Sequence, residues 1–185
     1  MKKLLSISLS LLLLIASLAF AAEQADQQAH PSCSYCGMHR VAFAHSRMLI
    51  EYSDQSSVGT CSLHCAALEF ANSIDKVPAA IKVGDFNTQE LIDAETATWV
   101  IGGDKPGVMT SRAKWAFADK AAAEQFVKTH GGTIVDFELA MKAAYEDMYK
   151  DTMMIRKKRQ MKKMKQQQSS EESGHDMHQH GMGKQ

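Results

Sequence analysis

Two pairs of cysteines are the residues of this chain whose types and spacing best suit chemistry. The first pair lies in Cys33-Ser-Tyr-Cys36-Gly37-Met38 and the second in Cys61-Ser-Leu-His-Cys65. Cysteine thiolates bind metals and exchange with disulfides. The spacing therefore leaves a tetrahedral zinc site, a redox-active Cys-x-x-Cys pair and short-range disulfides open as alternatives.

The surrounding sequence argues against a zinc-ribbon site and excludes covalent haem. The 24 residues between the pairs exceed the gap of the common zinc-ribbon pattern. Covalent haem is excluded, because residue 37 is Gly where a c-type attachment motif requires His. Cys61 and Cys65 are four apart and share a helical face, where a helix N-terminus would favour thiolate. That face lies opposite the apolar stripe, so the pattern does not mark the two cysteines as core residues, although Leu68 lies on their side.

Methionines shift the balance towards copper. The chain contains 12 Met and 8 His, and thiolates together with thioethers are soft ligands that select Cu(I) over hard cations. Met38 lies two residues from Cys36, and Met109 lies in a second Gly-rich turn, Gly107-Val-Met109-Thr. Taken alone, Met109 is more commonly a core residue. The Met residues from 141 to 164 have helical spacing, which indicates packing.

The N-terminus has the pattern of a secretory signal peptide. Lys2 and Lys3 precede an apolar run that ends in Ala19-Phe20-Ala21, so we predict that residues 1–21 are removed. An uncleaved membrane anchor is the alternative. No Cys directly follows the run, which argues against a lipoprotein. We therefore predict a periplasmic protein without stable membrane insertion after cleavage.

Hydrophobic patterning predicts an α+β fold with two ββαβ units in one compact region. The 21 basic and 21 acidic residues exclude a strongly basic nucleic-acid binder and an acidic, disordered chain. Residues 22–32 are expected to be flexible, and the units to span about 33–86 and 96–137. Apolar periodicities predict strands at 45–52, 57–60, 81–86, 96–101, 109–118 and 133–137, and helices over about 61–74 and 119–130.

The C-terminal part has a different composition. A basic, Met-rich helix is predicted over 138–165, carrying Arg156-Lys-Lys-Arg159. Residues 166–185 are polar and of low complexity, so a disordered tail is predicted. The tail holds three His and two Met, which either capture copper loosely or form a solvated end.

The folded region resembles the NosL family of exported copper-binding accessory proteins linked to assembly of nitrous oxide reductase. The likeness rests on Cys33-x-x-Cys36-Gly37-Met38, Gly107-Val-Met109, Trp115-Ala-Phe-Ala118 and Gly131-Gly132, and covers about residues 33–140. It implies two ββαβ units, with Cys36, Met38 and Cys33 as the best copper ligands and Met109 at the downstream Met position. The Cys61/Cys65 pair, the long helix and the tail are departures from the family pattern.

These observations together predict a periplasmic Cu(I) metallochaperone that is not an enzyme. We predict the metal ligands to be Cys33, Cys36, Met38, Met109, Cys61 and Cys65. The expected partner is a copper-acceptor protein such as nitrous oxide reductase or its assembly transporter, and no nucleic acid. The alternative is a periplasmic thiol–disulfide oxidoreductase that uses Cys33-x-x-Cys36, although no strand precedes this motif and no clear helix follows it.

Overall fold

The computed structural model describes residues 25–179, which belong to two compact units divided between Asp147 and Met148. The predicted signal peptide, residues 1–21, lies outside the described residues. The first unit contains two small antiparallel sheets with helices beside them. This arrangement confirms the predicted α+β class.

The first sheet has four strands in the order β2-β1-β3-β4. The strands are β1 (Met48–Tyr52), β2 (Ser57–Thr60), β3 (Pro78–Gly84) and β4 (Leu91–Asp93). Asp54 forms the predicted β1–β2 turn by accepting a hydrogen bond from the Ser56 amide at 2.8 Å. The β1–β2 register pairs Met48 with Thr60, which places the residue after β2, Cys61, beside the start of β1.

Helix α1 (Leu63–Asn72) connects β2 to β3. The predicted apolar stripe extended to Ile74, but the helix ends before it and Ile74 is 92% exposed. The first turns of α1 are buried on all sides, since Leu63, Cys65 and Ala67 are each less than 4% exposed. This end of the helix therefore lies inside the core rather than on its surface.

The second sheet has the order β6-β5-β7 and repeats the strand–strand–helix–strand pattern. Its elements are β5 (Thr98–Ile101), β6 (Lys114–Phe117), α2 (Lys120–His130) and β7 (Thr133–Val135). The Asp119 carboxylate accepts from the Ala121 amide at 3.0 Å, as expected for an N-cap. Gly131 ends α2 with a φ of 74°. Strand β6 begins later than predicted, because residues 108–112 form bends rather than strand.

The two sheets are joined at one edge. The Phe86 amide donates to the Ala116 carbonyl of β6 at 2.8 Å, and the Asp85 carboxylate accepts from the Ala118 amide at 2.7 Å. The Phe86 ring lies about 5 Å from those of Trp115 and Phe126. Aromatic packing at this junction forms the core on which the cysteines lie.

Residues 25–32, the described part of the segment 22–32 that we expected to be flexible, contact the domain. Residues 25–29 are helical and the Asp26 side chain is buried. Its carboxylate pairs with the fully buried guanidinium groups of Arg40 at 2.8 Å and Arg47 at 3.0 Å. Arg40 also donates to the carbonyls of His30 and Met48. Buried arginines require such partners, so the segment is ordered by charge pairing.

Helix α3 (Phe137–Gln179) begins in the first unit. Ala140, Ala143 and Ala144 are buried there, and Asp147 accepts from Arg112 and Lys114, each at 2.8 Å.

In the second unit, residues 148–179 continue as helix. The helix includes residues 166–179, which belong to the stretch predicted to be disordered. Residues 180–185 of that tail lie outside the described residues. Among the described residues, no helix combines the length and apolar character needed to cross a membrane.

Candidate metal centre

The first cysteine pair lies in a tight loop. The Cys33 amide donates to the Met38 carbonyl at 2.9 Å, and the Gly37 amide donates to the Cys33 carbonyl at 3.0 Å. Gly37 has a φ of 75°, in the left-handed region that glycine adopts without a steric penalty. The loop consists of turns and is not followed by a helix. A Cys-x-x-Cys motif at a strand-to-helix junction, as in thioredoxin-like proteins, is therefore not the arrangement found.

The second cysteine pair lies where β2 passes into α1. Cys61 follows β2, Ser62 is the N-cap residue, and Cys65 lies in the first turn of α1. Both thiols are fully buried, although the stripe pattern did not mark them as core residues. The stripe is uninformative here because this end of α1 packs on all sides. The N-terminus of α1 favours negative charge on these sulfurs.

The fold brings all four cysteines to one point. The Cys36 and Cys61 sulfurs are 3.4 Å apart, the Cys61 and Cys65 sulfurs 3.8 Å apart, and all four sulfurs lie within 4.8 Å of one another. Among the described residues, the four are reduced thiols rather than disulfides. Cys33, Cys61 and Cys65 are buried, whereas Cys36 is half-buried. Cys36 is therefore the sulfur through which a metal or another thiol can approach. We call this group the four-cysteine cluster.

Two methionines lie near this cluster. Met38 and Met109 are partly buried and pack against the core group that includes Cys33, Cys61 and Cys65. Met109 has a φ of 60°, which costs a residue other than glycine about 1 kcal/mol. The preceding Gly107 packs so tightly that a Cβ there would lie 2.7 Å from the Thr110 carbonyl oxygen. The backbone thus holds Met109 beside the cluster in a conformation that is unfavourable for its residue type.

The four thiols of the cluster differ strongly in pKa. Hydrogen bonds from Cys36, and then from Cys61 and Cys65, lower the pKa of Cys33. The bond to Cys33 works to raise the pKa of Cys36, but bonds from Cys61 and Cys65 bring it down to about 7. The pKa values of Cys61 and Cys65 are raised, first by their bonds to Cys33 and Cys36 and then by burial. Negative charge is therefore favoured on the two loop cysteines over the two helix cysteines.

A hydrogen-bonded clamp holds the cysteine loop against α1. Tyr35, between Cys33 and Cys36, donates to the buried Glu69 carboxylate at 2.7 Å. Tyr52 of β1 donates to the other oxygen of Glu69, also at 2.7 Å. The Ser34 amide and hydroxyl both donate to the Gly59 carbonyl at 3.1 Å. These bonds fix the loop relative to the elements that carry the second cysteine pair.

Sequence reasoning missed the residues that support the cluster. The six predicted ligands lie in or beside one core group, but Tyr35, Glu69, Arg40 and Asp26 were not singled out. Two sequence features pointed to such support: Tyr35 lies inside the Cys-x-x-Cys motif, and Glu69 lies on an apolar helix face. Neither signal identifies its partner without the fold. The His and Met residues at 175–182 remain untested, because their side chains lie outside the described part of the structure.

Fold and site together define an α+β domain with a buried cluster of soft metal ligands. Residues 24–145, more than half of the chain, match the NosL family. The chain belongs to the NosL family, as its cysteine and glycine motifs predicted.

Two known proteins are similar to this chain. The Bacillus subtilis (strain 168) HTH-type transcriptional repressor CutR is 34% identical over 127 residues, which cover 69% of this chain and 61% of the repressor's length. The crystal structure of the copper chaperone NosL from Shewanella denitrificans is similar with 21% identity and a TM-score of 0.47. That similarity covers 58% of this chain and 87% of the other.

Proposed function

We propose that this protein is a periplasmic metallochaperone that binds Cu(I) through its cluster and transfers it to an acceptor protein. The observation that carries the proposal is the convergence of four thiols within 4.8 Å. Thiolate sulfur is a soft ligand of the type that binds Cu(I). Membership of the NosL family and the two nearby thioethers support the same metal.

The partial exposure of Cys36 suits transfer rather than storage. In our proposal, an acceptor thiolate binds Cu(I) at the open side of the cluster, where Cys36 is half-buried. The copper–sulfur bond to Cys36 then breaks, and Cys36 takes up the proton that the acceptor thiol has lost. Copper remains Cu(I), and no bond of an organic substrate is cleaved. The protein therefore acts by ligand exchange and is not an enzyme.

The client and compartment follow from the sequence resemblance. Export is supported by the signal-like pattern of residues 1–21. We propose nitrous oxide reductase or its maturation machinery as the acceptor. Co-purification of the mature chain with that enzyme's assembly transporter, lost in Cys36→Ser, tests this assignment.

An anaerobic Cu(I) titration of the reduced mature chain against a chromophoric chelator tests the binding step. We expect tight binding that Cys36→Ser greatly weakens and that survives replacement of the His and Met residues at 175–182 by Ala. Binding lost only with the tail residues would place copper there and overturn the assignment to the cluster. Turnover of insulin disulfides without Cu(I) binding would instead favour the oxidoreductase alternative.

A further inference from the structure

The four sulfurs are arranged in a way that suits more than copper transfer. A metal with four sulfur ligands at about 2.3 Å in tetrahedral geometry places those sulfurs about 3.8 Å apart. The Cys61–Cys65 separation of 3.8 Å equals that value, and the Cys36–Cys61 separation of 3.4 Å is slightly shorter. These two separations are thus close to those of a closed tetrathiolate site, and the other sulfur–sulfur separations do not exceed 4.8 Å.

The sequence gap that argued against zinc is explained by the fold. The 24 residues between the pairs include the β1–β2 hairpin, which returns the chain to the cysteine loop. Ser34 then bonds to Gly59 at the end of β2 and holds the two segments together. A long gap in sequence is therefore compatible with a compact set of ligands.

Backbone amides near the loop would compensate the charge of such a site. The Cys36 amide hydrogen-bonds to the Cys33 sulfur, and the Met38 amide hydrogen-bonds to the Cys36 sulfur. The buried Arg40 guanidinium interacts electrostatically with Cys33. Four thiolates around a divalent cation carry a net negative charge, and buried charge requires partners of this kind.

We propose that Cys33, Cys36, Cys61 and Cys65 form a tetrathiolate site for Zn²⁺ that fills when copper is absent. Zn²⁺ binds as the thiol protons leave, with no change in oxidation state. All four sulfurs are needed for the closed tetrahedron. Copper exchange requires an open position, so the two metals use the same cluster differently and compete for it. The inference goes beyond copper transfer and does not depend on it.

Cobalt is the probe for this site, because tetrahedral Co²⁺–thiolate complexes absorb strongly in the visible range. We expect the reduced, full mature chain to bind one Co²⁺ with a tetrahedral thiolate spectrum that added Zn²⁺ abolishes. Cys65→Ser and Cys36→Ser should each weaken Zn²⁺ binding by at least about a hundredfold, more than loss of a supporting hydrogen bond would. Circular dichroism of the metal-free variants checks folding, and Cys36→Ser alters a half-buried loop residue.

Met38→Leu is the matched control, since it removes a thioether that Zn²⁺ does not favour. This variant should keep the Co²⁺ spectrum and Zn²⁺ affinity while losing Cu(I) affinity. A weak, octahedral Co²⁺ spectrum, or Zn²⁺ affinity unchanged in both cysteine variants, would overturn the inference even if Cu(I) binds. Zn²⁺ binding without Cu(I) binding would instead overturn the proposed copper function alone.

Discussion

The two cysteine pairs are held by different forces although their sulfurs meet. Cys61 and Cys65 are fully buried against the aromatic core of the second sheet. Cys33 and Cys36 lie in a turn in which Cys33 is buried and Cys36 is half-buried. Hydrogen bonds from Ser34 to Gly59 and from Tyr35 to Glu69 attach this turn to the domain. Packing fixes the Cys61/Cys65 pair, whereas polar contacts hold the loop that carries Cys36.

This difference separates two tasks that a metal carrier must perform. A buried pair keeps its position, because moving it would open the core. A loop held by a few hydrogen bonds, each worth about 1 kcal/mol net, opens at much lower cost. We therefore interpret the helix pair as the fixed part of the cluster and the loop pair as the part that moves during exchange.

Arg40→Met is the change expected to disturb this arrangement most. Arg40 binds the Asp26 carboxylate and the carbonyl of Thr60, the residue before Cys61, so it connects the cysteine loop to the helix pair. Removing one member of a buried ion pair costs about 3–5 kcal/mol. Urea unfolding of the metal-free protein should show a loss of that size.

Arg112→Met provides the comparison, because Arg112 pairs with Asp147 and Glu146 while 41% exposed. Its loss should cost about 1 kcal/mol or less. Equal destabilisation by the two changes would mean that the buried network does not position the cysteine pairs.

Alkylation should separate the two pairs chemically. Bonds from Cys61 and Cys65 outweigh the opposing effect of Cys33 and bring the pKa of Cys36 to about 7, whereas the pKa values of Cys61 and Cys65 are raised. Iodoacetamide reacts with thiolate, so labelling of Cys36 should rise as pH increases through about 7. At pH 7 it should exceed labelling of the helix pair by roughly a hundredfold.

Peptide mass spectrometry of the metal-free protein at pH 5.5, 7 and 8.5 measures this contrast. Labelling in 6 M guanidinium chloride is the control, where all four cysteines should react alike. Equal protection of Cys36 and Cys65 in the folded protein would contradict an accessible Cys36.

Periodicity in the sequence predicted most elements of the fold. The 3.6-residue pattern and the Asp119 and Gly131 caps located α2 because these signals are local. Strand β4 was not predicted, whereas β7, which is equally short, was located by its β-branched run Thr133-Ile134-Val135.

The candidate site could be predicted only in part. Residue chemistry identified the cysteines and methionines, but burial of Cys61 and Cys65 depends on how α1 packs against the second sheet. The attachment of residues 25–29 depends on two arginines that pair with Asp26 only in the folded chain. Such contacts are long-range, and a single sequence does not encode them as a pattern.

Two tyrosines offer a matched test of the hydrogen-bonded clamp. Tyr35 and Tyr52 each donate to Glu69 at 2.7 Å, but only Tyr35 belongs to the cysteine loop. Tyr52 is 3% exposed and Tyr35 36% exposed. Tyr52→Phe should therefore cost about 1.5–3 kcal/mol of unfolding free energy, as expected for a buried bond to a charged group. Tyr35→Phe should cost about 1 kcal/mol or less.

Copper transfer should show the opposite order. Stopped-flow transfer of Cu(I) to a chelator should be several-fold faster in Tyr35→Phe, because the loop opens more easily, and unchanged in Tyr52→Phe. If both variants transfer copper at the wild-type rate, the Tyr35–Glu69 bond does not control the loop.

Met109 supports the smallest and most discriminating prediction. Its φ of 60° is unfavourable by about 1 kcal/mol for a residue with a Cβ, and Met109→Gly removes that strain along with the side chain. Relief of strain and loss of packing oppose each other, so the unfolding free energy should change by less than about 1 kcal/mol. Cu(I) affinity should nevertheless fall if the thioether is a ligand. Met109→Leu keeps the backbone strain and the apolar volume but lacks sulfur, and it should lose the same affinity. Full affinity in Met109→Leu would show that Met109 only packs against the cluster, leaving the cysteines and Met38 to hold copper.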